Sequence, residues 1–108
     1  MRILAVADIH GTARGKEVCI ALVERYQPDV VAVAGDITHF GPPEWAKEFL
    51  DGIGVETVAV HGNCDPPEVI EYIEKSHAHN IHLRVVELKG LRFVGMGGSN
   101  PPPFRTLV

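Results

Sequence analysis

The stretch Val30-Val31-Ala32-Val33-Ala34-Gly35-Asp36 is a short apolar run that ends in a glycine and a carboxylate. Two other runs end in a similar way: Ile3–Ala7 leads into Asp8-Ile9-His10, and Val58–His61 leads into Gly62-Asn63-Cys64-Asp65. Short runs rich in Val and Ile, bounded by Gly, Asp or Asn, are typical of strands that are buried on both faces of a parallel sheet. We therefore expect three parallel strands, each with a polar motif at its carboxyl end.

Helical patterns separate these runs. The first covers roughly Arg14–Tyr26, with its apolar residues on one stripe, and the second opens at Pro42-Pro43. The third follows Asp65, which is expected to cap the helix while Pro66 fits its first position. An alternation of strand and helix implies right-handed crossovers between parallel strands, so an α/β fold is predicted.

The pattern changes after the third helix. Leu83–Leu88 and Leu91–Met96 are strand-like, and Lys89-Gly90 between them is a hairpin signal, so an antiparallel pair is expected. The tail Gly97–Pro103 has the composition of turns.

Length and composition fit one domain. The chain has 108 residues, 45% of them apolar, which is enough for a modest core. Its net charge is −4 and its basic residues are evenly spread, which argues against binding of a long nucleic acid. Cys19 and Cys64 make no disulfide framework, and neither a signal peptide nor a membrane span is recognisable in the sequence. We therefore expect a cytoplasmic protein without a membrane partner.

The polar motifs predict a metal site. Ligands of open α/β sheets bind where the carboxyl ends of the strands converge. Asp8 and His10, two residues apart on an extended segment, are expected to point to the same side. Asp36 comes from the neighbouring strand, and Asn63 can offer its amide oxygen. Two metals held in this way can clamp a phosphate and lower the pKa of a bound water, which predicts a metal-assisted phosphoesterase.

Each motif also has a plainer interpretation, since Asp or Asn at a strand end is often a turn former or a helix cap. The recurrence of such residues at three successive strand ends favours the metal site. A dinucleotide-binding domain would share the βαβ arrangement. However, the first loop, Asp8–Gly15, lacks Gly-x-Gly-x-x-Gly and places a carboxylate where a pyrophosphate would lie.

Asp8-x-His10, Gly35-Asp36 and Gly62-Asn63-x-Asp65, in this order, resemble the motifs of the calcineurin-like metallophosphoesterase superfamily. Together with the third motif, Gly35–Gly41 is similar to a small prokaryotic, often archaeal, branch of it. The resemblance implies a layered α/β/β/α sandwich. This chain would form a βαβαβα and hairpin half of it, so that residues 1–108 are one partial domain.

The same resemblance implies a hydrolase with two divalent metal ions, Mn²⁺ first of all, with Fe, Ni²⁺ or Zn²⁺ as alternatives. Asp8 and His10 would hold the first ion, Asp36 would bridge the two, and Asn63 would hold the second. The expected substrates are phosphodiesters or small phosphorylated metabolites rather than proteins.

One departure from the family is Cys64, which stands where many members have a histidine that protonates the leaving oxygen. A neutral thiol is a weak donor, and a thiolate would repel phosphate. His39 and His61 are alternative acids, although the plainer interpretation of each is a histidine beside the site or at the surface. Asp36, His39 and Cys64 are the catalytic candidates.

A second departure is the absence of the family's downstream histidines, one alone and then a Gly-His-x-His pair. Ser76-His77-Ala78-His79, with His82 beyond it, is not expected to replace them, because it should lie at the amino-terminal edge of the sheet. Half of a sandwich would leave apolar faces exposed, so we expect self-association or a second chain that completes it. The alternative to an enzyme is a metal-binding module that cannot turn over by itself.

Overall fold

The computed structural model describes residues 1–99, and strands alternate with helices up to a final hairpin. In chain order the elements are β1 (Ile3–Val6), α1 (Ala13–Tyr26), β2 (Val30–Ala34), α2 (Pro43–Asp51), β3 (Glu56–Val60), α3 (Glu68–Lys75), β4 (His79–Asn80), β5 (Val85–Leu88) and β6 (Leu91–Val94). None of the helices in this part of the chain has the length and apolar character that a membrane crossing requires.

Four parallel strands form the main sheet in the order β1-β2-β3-β4. Right-handed crossovers that all advance in one direction place their helices on the same face of a sheet. All three helices pack on one face here, and their apolar stripes form the larger core with the strands. The side chains at the centre of this core are Cys19, Val31, Val33, Phe49, Leu50, Val69 and Ile73.

The hairpin of β5 and β6 covers part of the opposite face. Val30, Val58, Val60 and Ile81 form a second, smaller core, against which Val86, Leu88 and Phe93 pack. The layers are therefore helices, a four-stranded sheet and a two-stranded sheet. This order confirms the predicted α/β class and the half sandwich.

The hairpin turn also agrees with its prediction. Lys89 and Gly90 have φ angles of 52° and 83°, and positive φ at both central residues is the turn geometry that matches the twist of the flanking strands. Leu88 accordingly pairs with Leu91.

The prediction that all three of the first strands are buried on both faces is wrong for β1. Its residues alternate between half-buried and exposed, and Ile3 is 46% exposed. The reason is position: β1 lies at the edge of the sheet and pairs with β2 alone. Leu4 and Val6 pack on the helices, whereas β2 and β3 are mostly buried, as predicted.

Two details near α3 differ from the sequence prediction. The helix begins at Glu68, two residues later than Pro66 would set it, with Pro67 before its first turn. The strand β4 is not predicted, because two residues are too few to show any hydrophobic period. In the predicted tail, Gly97–Ser99 lies outside helices and strands, and the remainder to Pro103 falls outside the described residues.

Candidate metal centre

Backbone hydrogen bonds align the loop after β1 with the loop after β2. The amides of Asp8 and His10 donate to the carbonyl oxygens of Gly35 and Asp36, with N···O distances of 3.3 and 2.9 Å. Asp8, His10 and Asp36 have φ angles of 58°, 52° and 49°, in the left-handed region that Asp and His visit more often than most residues. The expected extended geometry of Asp8 and His10 is therefore wrong, and left-handed turns bring the two side chains together.

Asp65 ties the loop after β2 to the loop after β3. Its fully buried carboxylate accepts hydrogen bonds from the amides of Ile37, Thr38 and Gly62, at 3.2, 2.7 and 2.8 Å. The hydroxyl of Thr38 donates a fourth at 2.8 Å. These donors satisfy a charge that would otherwise be costly to bury.

The predicted role of Asp65 as a helix cap is wrong, since α3 begins without a side-chain cap hydrogen bond. The carboxylate is turned toward the two loops instead of toward the helix. The overlooked signal is its spacing from Gly62. An aspartate three residues after a glycine at a strand end can fold back and accept the amide of that glycine.

Only a glycine fits at position 62, because Asp36 lies directly against its backbone. A Cβ on Gly62 would collide with Asp36, whose Cγ would be 2.7 Å away. A Cβ on Gly35 would in turn lie 3.0 Å from the Cα of Gly62. Two glycines thus allow the second and third loops to touch.

Asp8, His10 and Asp36 form a cluster that we name the carboxylate–histidine group. His10 Nε2 lies 3.7 Å from Oδ1 of Asp8 and 3.9 Å from Oδ2 of Asp36. One ligand atom of each residue lies within 4.8 Å of the other two. These separations are within ion-pair range but longer than hydrogen bonds, so the three side chains lie close together without a direct hydrogen bond among these atoms.

Neighbouring residues orient Asp36 within this group. The amide of Cys64 donates to Oδ1 of Asp36 at 2.8 Å, which leaves Oδ2 on the side of His10. The Asp36 side chain is only 14% exposed, against 70% for Asp8, so the group is fixed on one side and open to solvent on the other. Asn63 lies half-buried between Gly62 and Cys64, both of which contact Asp36.

His10, His39 and Cys64 form a second cluster, which we name the histidine–thiol group. The Nδ1 atoms of His10 and His39 are 3.3 Å apart, and one ligand atom of each of the three residues lies within 4.8 Å of the others. Burial raises the pKa of the Cys64 thiol, and the carboxylates of Asp36, Asp65 and Asp8 raise it further. The thiol is therefore neutral at pH 7 and a weak proton donor.

His61, the other candidate acid, belongs to neither cluster. It is buried, its ring centroid lies 4.8 Å from that of His82, and its Nδ1 has no hydrogen-bond partner within residues 1–99. Burial, and then His82, lower the pKa of His61. The prediction that His82 lies at the amino-terminal edge is wrong, because β4 runs parallel to β3 and carries the chain to the level of His61.

His77 and His79 do lie at the amino-terminal edge. His77 bonds Asp51 through its amide at 2.8 Å, and its Nε2 lies 3.1 Å from the carbonyl oxygen of Val55. His79 Nε2 lies 3.2 Å from Glu56 at the start of β3. As predicted, these histidines are far along the strands from Asp8 and Asp36.

The donor chemistry of the carboxylate–histidine group fits a divalent metal ion. Two carboxylates and one imidazole suit ions that accept mixed oxygen and nitrogen ligands, Mn²⁺ among them. The opening beside Asp8 leaves room for water or a substrate oxygen. The same residues without a cation would hold two carboxylates near each other with no proton donor between them other than His10.

Comparisons with known proteins bear on the family and the fold of this chain. A family model described as calcineurin-like phosphoesterase matches residues 1–104. An uncharacterised protein of Methanocaldococcus jannaschii is 37% identical over 110 aligned residues, which cover 98% of this chain and 47% of that protein. A solved crystal structure superposes with a TM-score of 0.68 at 18% identity, over 90% of this chain and 52% of its own. The last comparison bears on the fold alone, and the chain spans about half the length of both proteins.

Proposed function

Because this chain belongs to the calcineurin-like phosphoesterase family, we propose that it hydrolyses phosphate esters with divalent cations held at the carboxyl edge of its sheet. The observation that carries the proposal is the convergence of Asp8, His10 and Asp36 to within 4.8 Å of one another, on loops from two neighbouring strands.

In the proposed site, Asp8 and His10 would hold one cation, Asp36 would bridge to a second, and Asn63 would hold that second cation. Such ions polarise phosphoryl oxygens and lower the pKa of water, which is the chemistry they supply when bound. Mn²⁺ is the proposed ion, since two carboxylates, an imidazole and an amide are hard or intermediate ligands.

The surrounding residues prepare this site. Asp65 holds the second and third loops together, and Gly62 lets Asp36 lie against the third loop. His39 is exposed beside His10, so it can pass a proton to a leaving oxygen. Cys64 serves mainly through its amide, which orients Asp36.

We propose phosphodiesters or small phosphorylated metabolites as substrates. The net charge of −4 and the lack of a basic stripe disfavour long nucleic acids, and a weak proton donor at Cys64 favours good leaving groups. A cytoplasmic location is part of the proposal, since Cys19 and Cys64 are both buried and form no disulfide with each other.

The test is hydrolysis of bis-p-nitrophenyl phosphate by the chain with added Mn²⁺, compared with Asp36→Asn. We expect turnover that needs Mn²⁺ and that falls at least about 100-fold in the variant, because a bridging carboxylate is lost. Equal turnover by both proteins would contradict the proposed site.

A second candidate function is a metal-binding module without turnover of its own. The observation that favours it is that the chain spans about half of the relatives it matches. Binding of Mn²⁺ that depends on Asp36, without hydrolysis of any phosphoester offered, would select this candidate.

We also propose that the chain self-associates, or binds a second chain, through the hairpin and the sheet face beside it. Leu83, Val85, Val94 and Met96 are exposed there, which leaves an apolar surface for a partner to cover. Sizing in solution tests this proposal: a dimer is expected, and a stable monomer of 11.8 kDa would contradict it.

A further inference from the structure

The geometry points to a second cation site: we infer that the histidine–thiol group binds a thiophilic divalent cation of the zinc class. This inference does not depend on the proposed hydrolysis, although the two clusters share His10. Imidazole nitrogens with one thiolate sulfur suit Zn²⁺ or Co²⁺, whereas the two carboxylates of the other cluster suit harder ions.

The distance between the two histidines matches such a site. Zn–N bonds of about 2.0–2.1 Å in a tetrahedron place two ligand nitrogens roughly 3.3 Å apart. His10 Nδ1 and His39 Nδ1 are 3.3 Å apart. At this distance the two nitrogens share a hydrogen bond, and the ion would take the place of its proton so that both lone pairs face the ion.

The sulfur of Cys64 would be the third protein ligand of this site. A Zn–S bond of about 2.3 Å would place sulfur roughly 3.5 Å from each nitrogen. Cys64 is held in place because its amide donates to Asp36 and its carbonyl oxygen accepts from Phe40, both at 2.8 Å. One ligand atom of each residue lies within 4.8 Å of the other two, and the exposed ring of His39 can turn to shorten its separation from Cys64.

Charge also favours the ion. Carboxylates of Asp36, Asp65 and Asp8 act on Cys64, so a cation enters a region of negative potential. On binding, the S–H proton leaves to solvent and the freed sulfur lone pair coordinates the ion. Three protein ligands leave one tetrahedral position for water, as in zinc sites that are open rather than closed.

The two clusters should compete for His10. A neutral imidazole has one free lone pair, on either Nδ1 or Nε2. His10 presents Nε2 to the carboxylates and Nδ1 to His39. Occupation of the histidine–thiol group therefore weakens the carboxylate–histidine group.

The test uses Co²⁺ as a spectroscopic probe for the zinc class. Titration of the purified chain should produce a thiolate-to-cobalt charge-transfer band in the near ultraviolet, which Zn²⁺ then displaces. Cys64→Ser should abolish the band, and His39→Ala should weaken Co²⁺ affinity at least about tenfold. Cys19→Ala is the matched control, since Cys19 is the other free, buried thiol and should leave the band unchanged.

Asp8→Asn separates this inference from the proposed function. It should abolish Mn²⁺ binding but retain the cobalt band, because Asp8 is not a member of the histidine–thiol group. A band that is absent from the unmodified chain, that survives in Cys64→Ser, or that disappears in Asp8→Asn would overturn the inference. His39→Ala guards against misfolding of the cysteine variant, since His39 is exposed, and unchanged affinity in that variant would also overturn it.

Discussion

Both edges of the main sheet carry histidines and acidic residues, but the number of acids near each histidine differs between the two edges. At the carboxyl edge, His10 lies 3.7 and 3.9 Å from two carboxylates and pairs closely with neither. At the amino-terminal edge, His77 and His79 each lie against a single acid, Asp51 or Glu56, at 3.4 and 3.2 Å. Both groups of at least three possible metal ligands within residues 1–99 lie at the carboxyl edge.

Residue type alone therefore does not distinguish the candidate site. What distinguishes it is that three possible ligands lie close to one another. At the amino-terminal edge each of the two imidazoles lies against one acid, and within residues 1–99 no cluster of three possible metal ligands includes either of them. At the carboxyl edge, three residues in left-handed backbone conformations bring one ligand atom each to within 4.8 Å of the others.

The largest effect that would test this comparison comes from a matched pair of histidine variants. His10→Asn should lower the affinity for Mn²⁺ by more than the roughly 100-fold that loss of an outer-shell partner can cost, because a ligand is removed. His77→Asn should leave that affinity unchanged. Electron paramagnetic resonance of free Mn²⁺ measures both, and an equal loss in the two variants would erase the distinction between the edges.

The next effect concerns the buried carboxylate behind the site. Asp65→Asn would place an amide against four donors and should lower the free energy of unfolding by about 2 kcal/mol. Asp51→Asn at the other edge should change it much less, since Asp51 is exposed. Urea denaturation checks both, and similar losses would show that the hydrogen bonds of Asp65 carry no special weight.

A smaller effect is expected from the close contact of the loops. Gly62→Ala should destabilise the fold by about 1–2 kcal/mol, since a Cβ would press on Asp36. Gly52→Ala is the control, because Gly52 has an ordinary helical φ of −79° and no atom nearer than 3.4 Å to its added Cβ. Thermal unfolding should separate the variants; identical midpoints would argue against tight packing at Gly62.

The smallest effect is a pH dependence at the amino-terminal edge. Hydrogen bonds from Lys47 and then from the His77 amide lower the pKa of Asp51 below its ordinary value of 3.8. Ionised Asp51 therefore stabilises the fold above pH 3.8, and this contribution is lost as the pH falls through the lowered pKa. The melting temperature of Asp51→Asn should lie slightly below that of the unmodified chain at pH 7 and approach it at pH 3. A constant difference would contradict this account.

Periodicity in the sequence predicts most of the fold. Three helices, three long strands and the hairpin turn at Lys89-Gly90 follow from local patterns. The two-residue strand β4 does not, because it exists only through pairing with β3. The exposure of β1 also depends on its place in the sheet, which local pattern does not encode.

The sequence motifs predict the candidate metal ligands. They do not predict the neighbouring residues that hold those ligands in place. Asp65 looks like a helix cap in the sequence, since Pro66 and Glu68 follow it, and tertiary contacts with Thr38 decide its role instead. The approach of His39 to His10 likewise depends on how two loops align, which no single motif reveals.

The central claim is that the carboxylate–histidine group holds a divalent cation. Its most direct test is a crystal structure of the chain grown with MnCl₂, with an anomalous difference map recorded for manganese. The account predicts a peak bound by Asp8, His10 and Asp36. A map without a peak there, or with manganese only beside His77 and His79, would contradict it.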